Sequence, residues 1–270
     1  APVLASESVH LDKFPTEKMQ SMPALQDGAR TFVNYCLNCH SASMMRFNRL
    51  QDIGLTDEQI SGSLQFTEGR VGDLMKVAMR HEDGKAWFGA APPDLSVEAR
   101  ARASESGSGA DWIYTYLRSY YRDGSRETGW NNAVFPNVGM PNPLWQWQGM
   151  RGAVEERVAP VTDEATGKVT GWTKTTITYD REGNKSEKVE KVDGDGLHEG
   201  THFTLGTPEG GTLSQAEFDD KVANLVAFMK FMSDPSASTR GRLGIWVLLF
   251  IALFVGCTWW LNREYWKDIK

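Results

Sequence analysis

Three residues of this 270-residue chain are cysteine and five are histidine. A structural zinc site usually needs four ligands, and one of the three cysteines, Cys257, falls in an apolar run near the end, so the other two cannot be read as half of such a site. Positive charge is also short. Lysine and arginine number 29 against 35 aspartates and glutamates, and the deficit is uneven: residues 1–240 carry 25 basic and 33 acidic side chains, a net of −8. Such a body repels nucleic acid and attracts a basic partner at low salt. No signal peptide is visible. The opening "APVLASESVH" has the form expected of a mature chain after cleavage of a leader. Disorder is excluded by the opposite kind of count, 11% aromatic residues with ten tryptophans.

A long apolar run occurs once. Leu243 to Leu261, "LGIWVLLFIALFVGCTWWL", holds no charge and is flanked by Arg240 and Arg242 on one side and Arg263 on the other. At about 1.5 Å per residue it spans roughly 28 Å, enough for the hydrocarbon core of a bilayer. Trp259 and Trp260 stand near one end, where an aromatic belt forms. The expectation is a single membrane anchor over 243–261 after a short linker, 236–242, with a tail at 262–270.

Upstream of it the helical signals dominate. Asp27 to His40 reads as a helix capped by Asp27, with Phe32, Val33, Cys36 and Cys39 on one side. "ADWIYTYLRSYY" places Ile113, Tyr116, Leu117 and Tyr120 on one face, and Ser214 with Glu217 forms a capping box before an apolar stripe from Phe218 to Met229. Between Arg122 and Pro143, glycines and prolines bar long regular structure. Residues 161–200 differ in composition, rich in Thr, Lys, Glu, Asp and Gly. Two alternating runs around Arg181–Asn184 predict a hairpin there, an excursion with too few apolar residues for a core of its own.

The chemistry concentrates in "FVNYCLNCHSA", Phe32 to Ala42. Cys36-X-X-Cys39-His40 is the attachment motif of haem c. Two intervening residues set the thiols one helical turn apart, so that each can add to one haem vinyl, and the next residue supplies an axial imidazole. A redox dithiol would not need His40 and wants a βαβ setting that is absent. Covalent attachment takes place outside the cytoplasm or matrix, so the body of the chain is expected on that side of the membrane.

For the ligand opposite His40 the chain offers ten methionines and four further histidines. Met19, Met22, Met44 and Met45 lie too near the attachment motif to reach the opposite face. Met75, Met79, Met229 and Met232 fall on helical stretches where a packing role is the default. Met140, in "NVGMPNP" between Gly139 and Pro141, is presented on a stiff loop, and Met150 stands in reserve.

Taken in order, "CLNCH", "PPDLS" at Pro92–Ser96, "RAR" at Arg100–Arg102, "GMPNP" and one C-terminal apolar run resemble the cytochrome c1 family, the haem subunits of cytochrome bc1 complexes. The resemblance implies a mainly α fold: a class I cytochrome c-like helical domain over 1–235, with long loops and the 161–200 hairpin, plus one transmembrane helix. It implies one covalently bound haem c, with Met140 as sixth ligand, Arg102 paired to a propionate, and Pro92 and Pro93 lining the haem pocket. It implies an electron-transfer subunit without bond-making catalysis, passing electrons from a Rieske iron–sulfur protein to a soluble or membrane-anchored c-type cytochrome. Cytochrome b, membrane lipid and a dimeric complex complete the implied partners. The implied location is the bacterial inner membrane, with the haem domain in the periplasm, or else the mitochondrial inner membrane facing the intermembrane space. A free anchored electron shuttle and the haem subunit of a terminal oxidase are the alternatives. The excursion departs from the family pattern, and the acidic segments at Arg80–Gly84 and Asp123–Glu127 are candidates for the rim of the haem edge.

Overall fold

The computed structural model describes residues 10–162, 169–192 and 198–267. The first nine residues, the parts of the excursion at 163–168 and 193–197, and the last three residues of the expected tail lie outside the described residues. The chain divides into two units, one ending at Ser233 and one beginning at Asp234.

In the first unit, helix α1 (Met22–Thr31) begins where the Ser21 hydroxyl accepts from the Ala24 N–H, and Pro23 occupies its first turn. It runs on into a π-helical turn, Phe32–Cys36. The helix therefore starts five residues before Asp27, and Asp27 is not its cap. Its carboxylate instead accepts from Lys221 Nζ at 2.7 Å and Asn224 Nδ2 at 2.9 Å. Both partners sit on the last helix of the unit, and the remaining elements fill the chain between.

A ribbon of β1 (Ala42–Arg46) and β2 (Leu74–Met75) encloses helix α2 (Asp57–Ser63) in sequence. Helix α3 (His81–Phe88) ends at Gly89, whose φ of 75° only glycine adopts freely. Helices α4 (Glu98–Ala101) and α5 (Gly109–Leu117) follow, the latter started by a reciprocal Ser108–Asp111 capping box. Strand β3 (Tyr120–Arg122) pairs antiparallel with β4 (Trp130–Asn132), and the one-turn helix α6 (Trp145–Gln148) comes after the loop that carries Met140.

The excursion is larger than a hairpin. Strands β5 (Ala153–Thr162), β6 (Val169–Tyr179), β7 (Lys185–Val192) and β8 (Gly200–Leu205) form an antiparallel sheet in the order β7-β6-β5-β8. The expected hairpin is present: Tyr179 opposes Lys185, and the Asp180 carboxylate accepts from the Asn184 backbone and side-chain amides. The sheet begins eight residues before the compositional border at 161, because "AVEERVAPV" does not alternate and gave no strand signal. Its base packs Ala153, Ile177 and Tyr179 against Tyr121 of β3, so the excursion borrows a core from the body.

Helix α7 (Gln215–Ser233) closes the unit across α1. The two approach so closely that a Cβ on Gly28 would stand 2.0 Å from the Asn224 carbonyl oxygen. One turn on, Phe32 meets Phe228 with ring centroids 5.5 Å apart, both rings fully buried. These contacts belong to one continuous core that also takes in Cys36 and Tyr116.

The second unit is helix α8 (Ala237–Tyr265), which already includes most of the expected linker. The helix over Thr239–Tyr265 contains an 18-residue window with a mean hydropathy of 2.1 and is long and apolar enough to cross a membrane.

Candidate functional site

Cys36, Cys39, His40, Pro92, Pro93, Arg102 and Met140, the seven site residues expected from sequence, all line one cavity of about 340 Å³. That volume lies within the usual range for ligand and cofactor sites. Of the methionines left open on position alone, Met150 is not among the lining residues: it is tied by backbone hydrogen bonds to Glu209. Met229 of α7 does reach the lining.

One wall is the turn that ends α1. Amide hydrogens of Leu37, Cys39 and His40 donate back to the carbonyls of Phe32 and Cys36, winding the chain tightly enough to face both thiols and the imidazole into the same space. His40 Nδ1 lies 2.7 Å from the Pro93 carbonyl oxygen. A carbonyl can only accept, so Nδ1 carries the proton and Nε2 keeps its lone pair. Burial holds His40 below the ordinary histidine range, against the opposing pull of the Pro93 carbonyl and of Glu98 and Asp94, which favours the neutral ring. The Pro93 segment is itself fixed. Asp94 accepts from the Ser43 and Ser96 N–H groups, each at 2.8 Å, and the Leu95 N–H donates to the Ser41 carbonyl.

Burial, then the neighbouring Cys39, pushes the Cys36 thiol up to about 12, and burial raises Cys39 as well. Thiols held protonated in this way are poor thiolate nucleophiles, which argues against a redox dithiol.

Another part of the lining is the loop at Met140. Asn132 Oδ1 accepts from the Val134 and Phe135 N–H groups, Asn131 Oδ1 accepts from the Asn137 N–H, and Asn132 Nδ2 donates to the Tyr116 carbonyl at 2.8 Å. Asn137 adopts a φ of 63°, and Arg126 donates to its carbonyl oxygen. Gly139 makes a close approach to another segment: a Cβ there would stand 2.5 Å from the Phe88 carbonyl oxygen. The Met140 thioether accepts a hydrogen bond from the Tyr116 hydroxyl at 3.4 Å. Burial pushes that hydroxyl up to about 12, so it stays a donor at physiological pH.

Arg102 stands at the cavity edge, its Nε donating to Glu98 at 2.8 Å and its guanidinium 4.6 Å from the centre of the Trp112 ring. Trp112 in turn stacks on Tyr116 at 4.9 Å and 12°. The two acidic segments expected on the rim do not line the cavity. Asp123 is 2% exposed and accepts from Ser125 and Asn131, which makes it a loop anchor and not a docking charge.

The donor set fits haem c: two thiols, a neutral imidazole with a free Nε2, and a thioether, all around one cavity walled largely by apolar side chains. The cytochrome c1 family model matches residues 14–151, which contain every one of these groups. The chain is 35% identical to cytochrome c1 of Allochromatium vinosum over 264 residues, covering 97% of this chain and 89% of that one. The chain belongs to the cytochrome c1 family. It is also 39% identical over 272 residues to the ammonia monooxygenase gamma subunit of Nitrosomonas europaea, covering all of this chain and 94% of that one. Cytochrome c1 of Rhodospirillum rubrum is 24% identical over 92% of this chain and 82% of its own.

As a member of the cytochrome c1 family, the chain is a c-type cytochrome that carries electrons; the family implies haem c binding and a place in a bc1 complex beside cytochrome b and a Rieske protein. The mainly helical fold expected from the motifs is present, with a sheet wider than expected. The family match stops at residue 151, two residues before β5 begins. Tyr116, Asp94, Asn131 and Asn132 were not among the expected site residues. Asp94 had a signal, an aspartate two residues before a serine in a Pro-Pro loop, whereas Tyr116 read as one more apolar position on α5.

Proposed function

We propose that this chain relays single electrons from the Rieske protein to a soluble or membrane-anchored c-type cytochrome, through one haem c held covalently by Cys36 and Cys39. His40 and Met140 are the axial ligands, Arg102 neutralises a propionate, and Pro92 and Pro93 wall the pocket. The observation that carries the reading is His40: the Pro93 carbonyl holds its Nδ1 proton, which leaves the Nε2 lone pair available, and His40 and Met140 line the same cavity from different elements. The bound cofactor supplies a one-electron couple at iron. The protein supplies the rest. The turn at Cys36–His40 fixes the plane of attachment, the Pro93 carbonyl fixes the imidazole, and apolar packing keeps water from rearranging around the charge. No side chain of this chain needs to make or break a substrate bond. Helix α8 anchors the protein in the bacterial inner membrane, with residues 1–235 on the periplasmic side, 243–261 in the bilayer and 262–270 in the cytoplasm.

A second reading starts from the relative named as an ammonia monooxygenase subunit. On that reading the same haem domain serves a different assembly. Affinity purification of the full chain from its own membranes in mild detergent separates the two. Co-purification of cytochrome b and a Rieske protein, in a complex of dimeric size, is expected. Their absence, with other subunits in their place, would overturn the relay assignment.

A further inference from the structure

Two buried hydroxyls stand behind the Met140 thioether. Tyr116 Oη lies 3.4 Å from Met140 Sδ and 2.6 Å from Tyr120 Oη. Tyr120 is fully buried and Tyr116 is 8% exposed, so neither hydroxyl has free access to solvent. Each carries one hydrogen to place. The thioether can only accept. If Tyr116 donated to Tyr120, the hydrogen of Tyr120 would be buried without an acceptor, a costly arrangement. If Tyr120 donates to Tyr116, the hydrogen of Tyr116 is free for the sulfur and every hydrogen is used. The satisfied chain therefore runs from Tyr120 through Tyr116 to Met140.

The Tyr116 ring is also clamped in place. Trp112 stacks on it, the Tyr120 ring meets it edge-on at 5.4 Å, and its backbone carbonyl accepts from Asn132, which organises the Met140 loop. The donor and the loop that carries its acceptor thus share one support.

We propose that Tyr116 is the positioning residue of this wall, and that its hydroxyl, polarised by Tyr120, sets the electron density on the Met140 sulfur. The proposal rests on Met140 as an axial ligand. A thioether sulfur has two lone pairs, one for a metal and one for a hydrogen bond. A donor on the second pair draws density from the first, which destabilises the oxidised metal more than the reduced one and raises the potential. A hydroxyl that itself accepts a hydrogen bond is the stronger donor.

Redox titration and visible spectra of the holoprotein test this. Tyr116→Phe should keep the haem covalently bound and keep the weak long-wavelength band of thioether-ligated ferric haem, but lower the midpoint potential. Tyr120→Phe should shift the potential the same way by less, because Tyr116 still donates without being polarised. The double variant, Tyr116→Phe with Tyr120→Phe, leaves no orphaned hydroxyl and should match Tyr116→Phe alone, which keeps the test open if that single variant folds poorly. An unmoved potential in the double variant, with the band present in the parent protein, would overturn the proposal alone. A rise in Tyr120→Phe would also overturn it, by reversing the direction of the chain. Absence of the band from the parent protein would overturn the axial reading of Met140 and this proposal together.

Discussion

The wall at His40 brings two thiols and an imidazole to the same space as the thioether of the wall at Met140, but the two walls are built differently. Around His40 the thiols and imidazole come from five consecutive residues, and one further segment, 92–96, is bonded onto them by Asp94 and the Pro93 carbonyl. Around Met140 the donor stands on an irregular loop whose shape depends on asparagine side chains from β4, an arginine, and a tyrosine from α5. The donors of the first wall come from one local turn, whereas the donor of the second stands on a loop shaped by side-chain hydrogen bonds. Damage to the first should remove the cofactor, and damage to the second should leave the cofactor in place but change its ligation.

Cys36→Ala and Cys39→Ala give the largest expected effect. Each removes one thioether bond, and haem staining after denaturing electrophoresis should fall sharply or vanish. Full staining in both variants would break the comparison at its first wall.

Met140→Leu should keep full staining. With no lone pair to offer, leucine leaves the sixth position open, so the reduced protein should bind carbon monoxide and its potential should fall by on the order of 100 mV. Asn132→Ala should give a fraction of the same carbon monoxide binding, because it frees the Val134 and Phe135 amides without touching the thioether. Its stability should drop by on the order of 3 kcal/mol in urea, the cost of leaving buried donors unpaired. If Asn132→Ala loses stability but binds no carbon monoxide, the position of Met140 does not depend on the Asn132 hydrogen bonds.

The smallest effect concerns pH. Burial raises the Asp94 carboxyl, but hydrogen bonds from Ser43 and Ser96 outweigh it and leave the group below its ordinary value of 3.8. A carboxylate held below its unfolded value stabilises the fold above that value, and the contribution fades as pH falls through the lower, folded one. Stability measured from neutral pH downward should therefore decline below about 3.8 partly through this group, and Asp94→Asn should flatten that part of the decline. The same acid sensitivity in the asparagine variant would assign it to other carboxylates.

What was legible in the sequence follows the same division. The motif at Cys36–His40 could be read because its geometry is local, and Met140 stood out because Gly139 and Pro141 flank it. The supports were hidden by distance along the chain: His40 finds its proton acceptor 53 residues away, and Met140 its donor 24 residues away. Single residues misled for a related reason. Asp27 has the chemistry of a cap and Asp123 that of a surface charge, but the partners that claim them, Lys221 and Asn131, lie on other elements. In the excursion, Arg181–Asn184 announced a hairpin through turn chemistry, whereas β5 and β8 are strands only because neighbours pair with them.

The contact of Gly28 with Asn224 and of Phe32 with Phe228 has a consequence in time. These partners are about two hundred residues apart, so closing that loop costs entropy before any burial repays it, and pairings of this span are slow to form. A chain emerging from its amino end exposes the α1 face until α7 has followed. The attachment motif, by contrast, is complete once residue 40 is out. Pulsed hydrogen exchange during refolding would show this order directly, as amides of α1 gaining protection only together with those of α7.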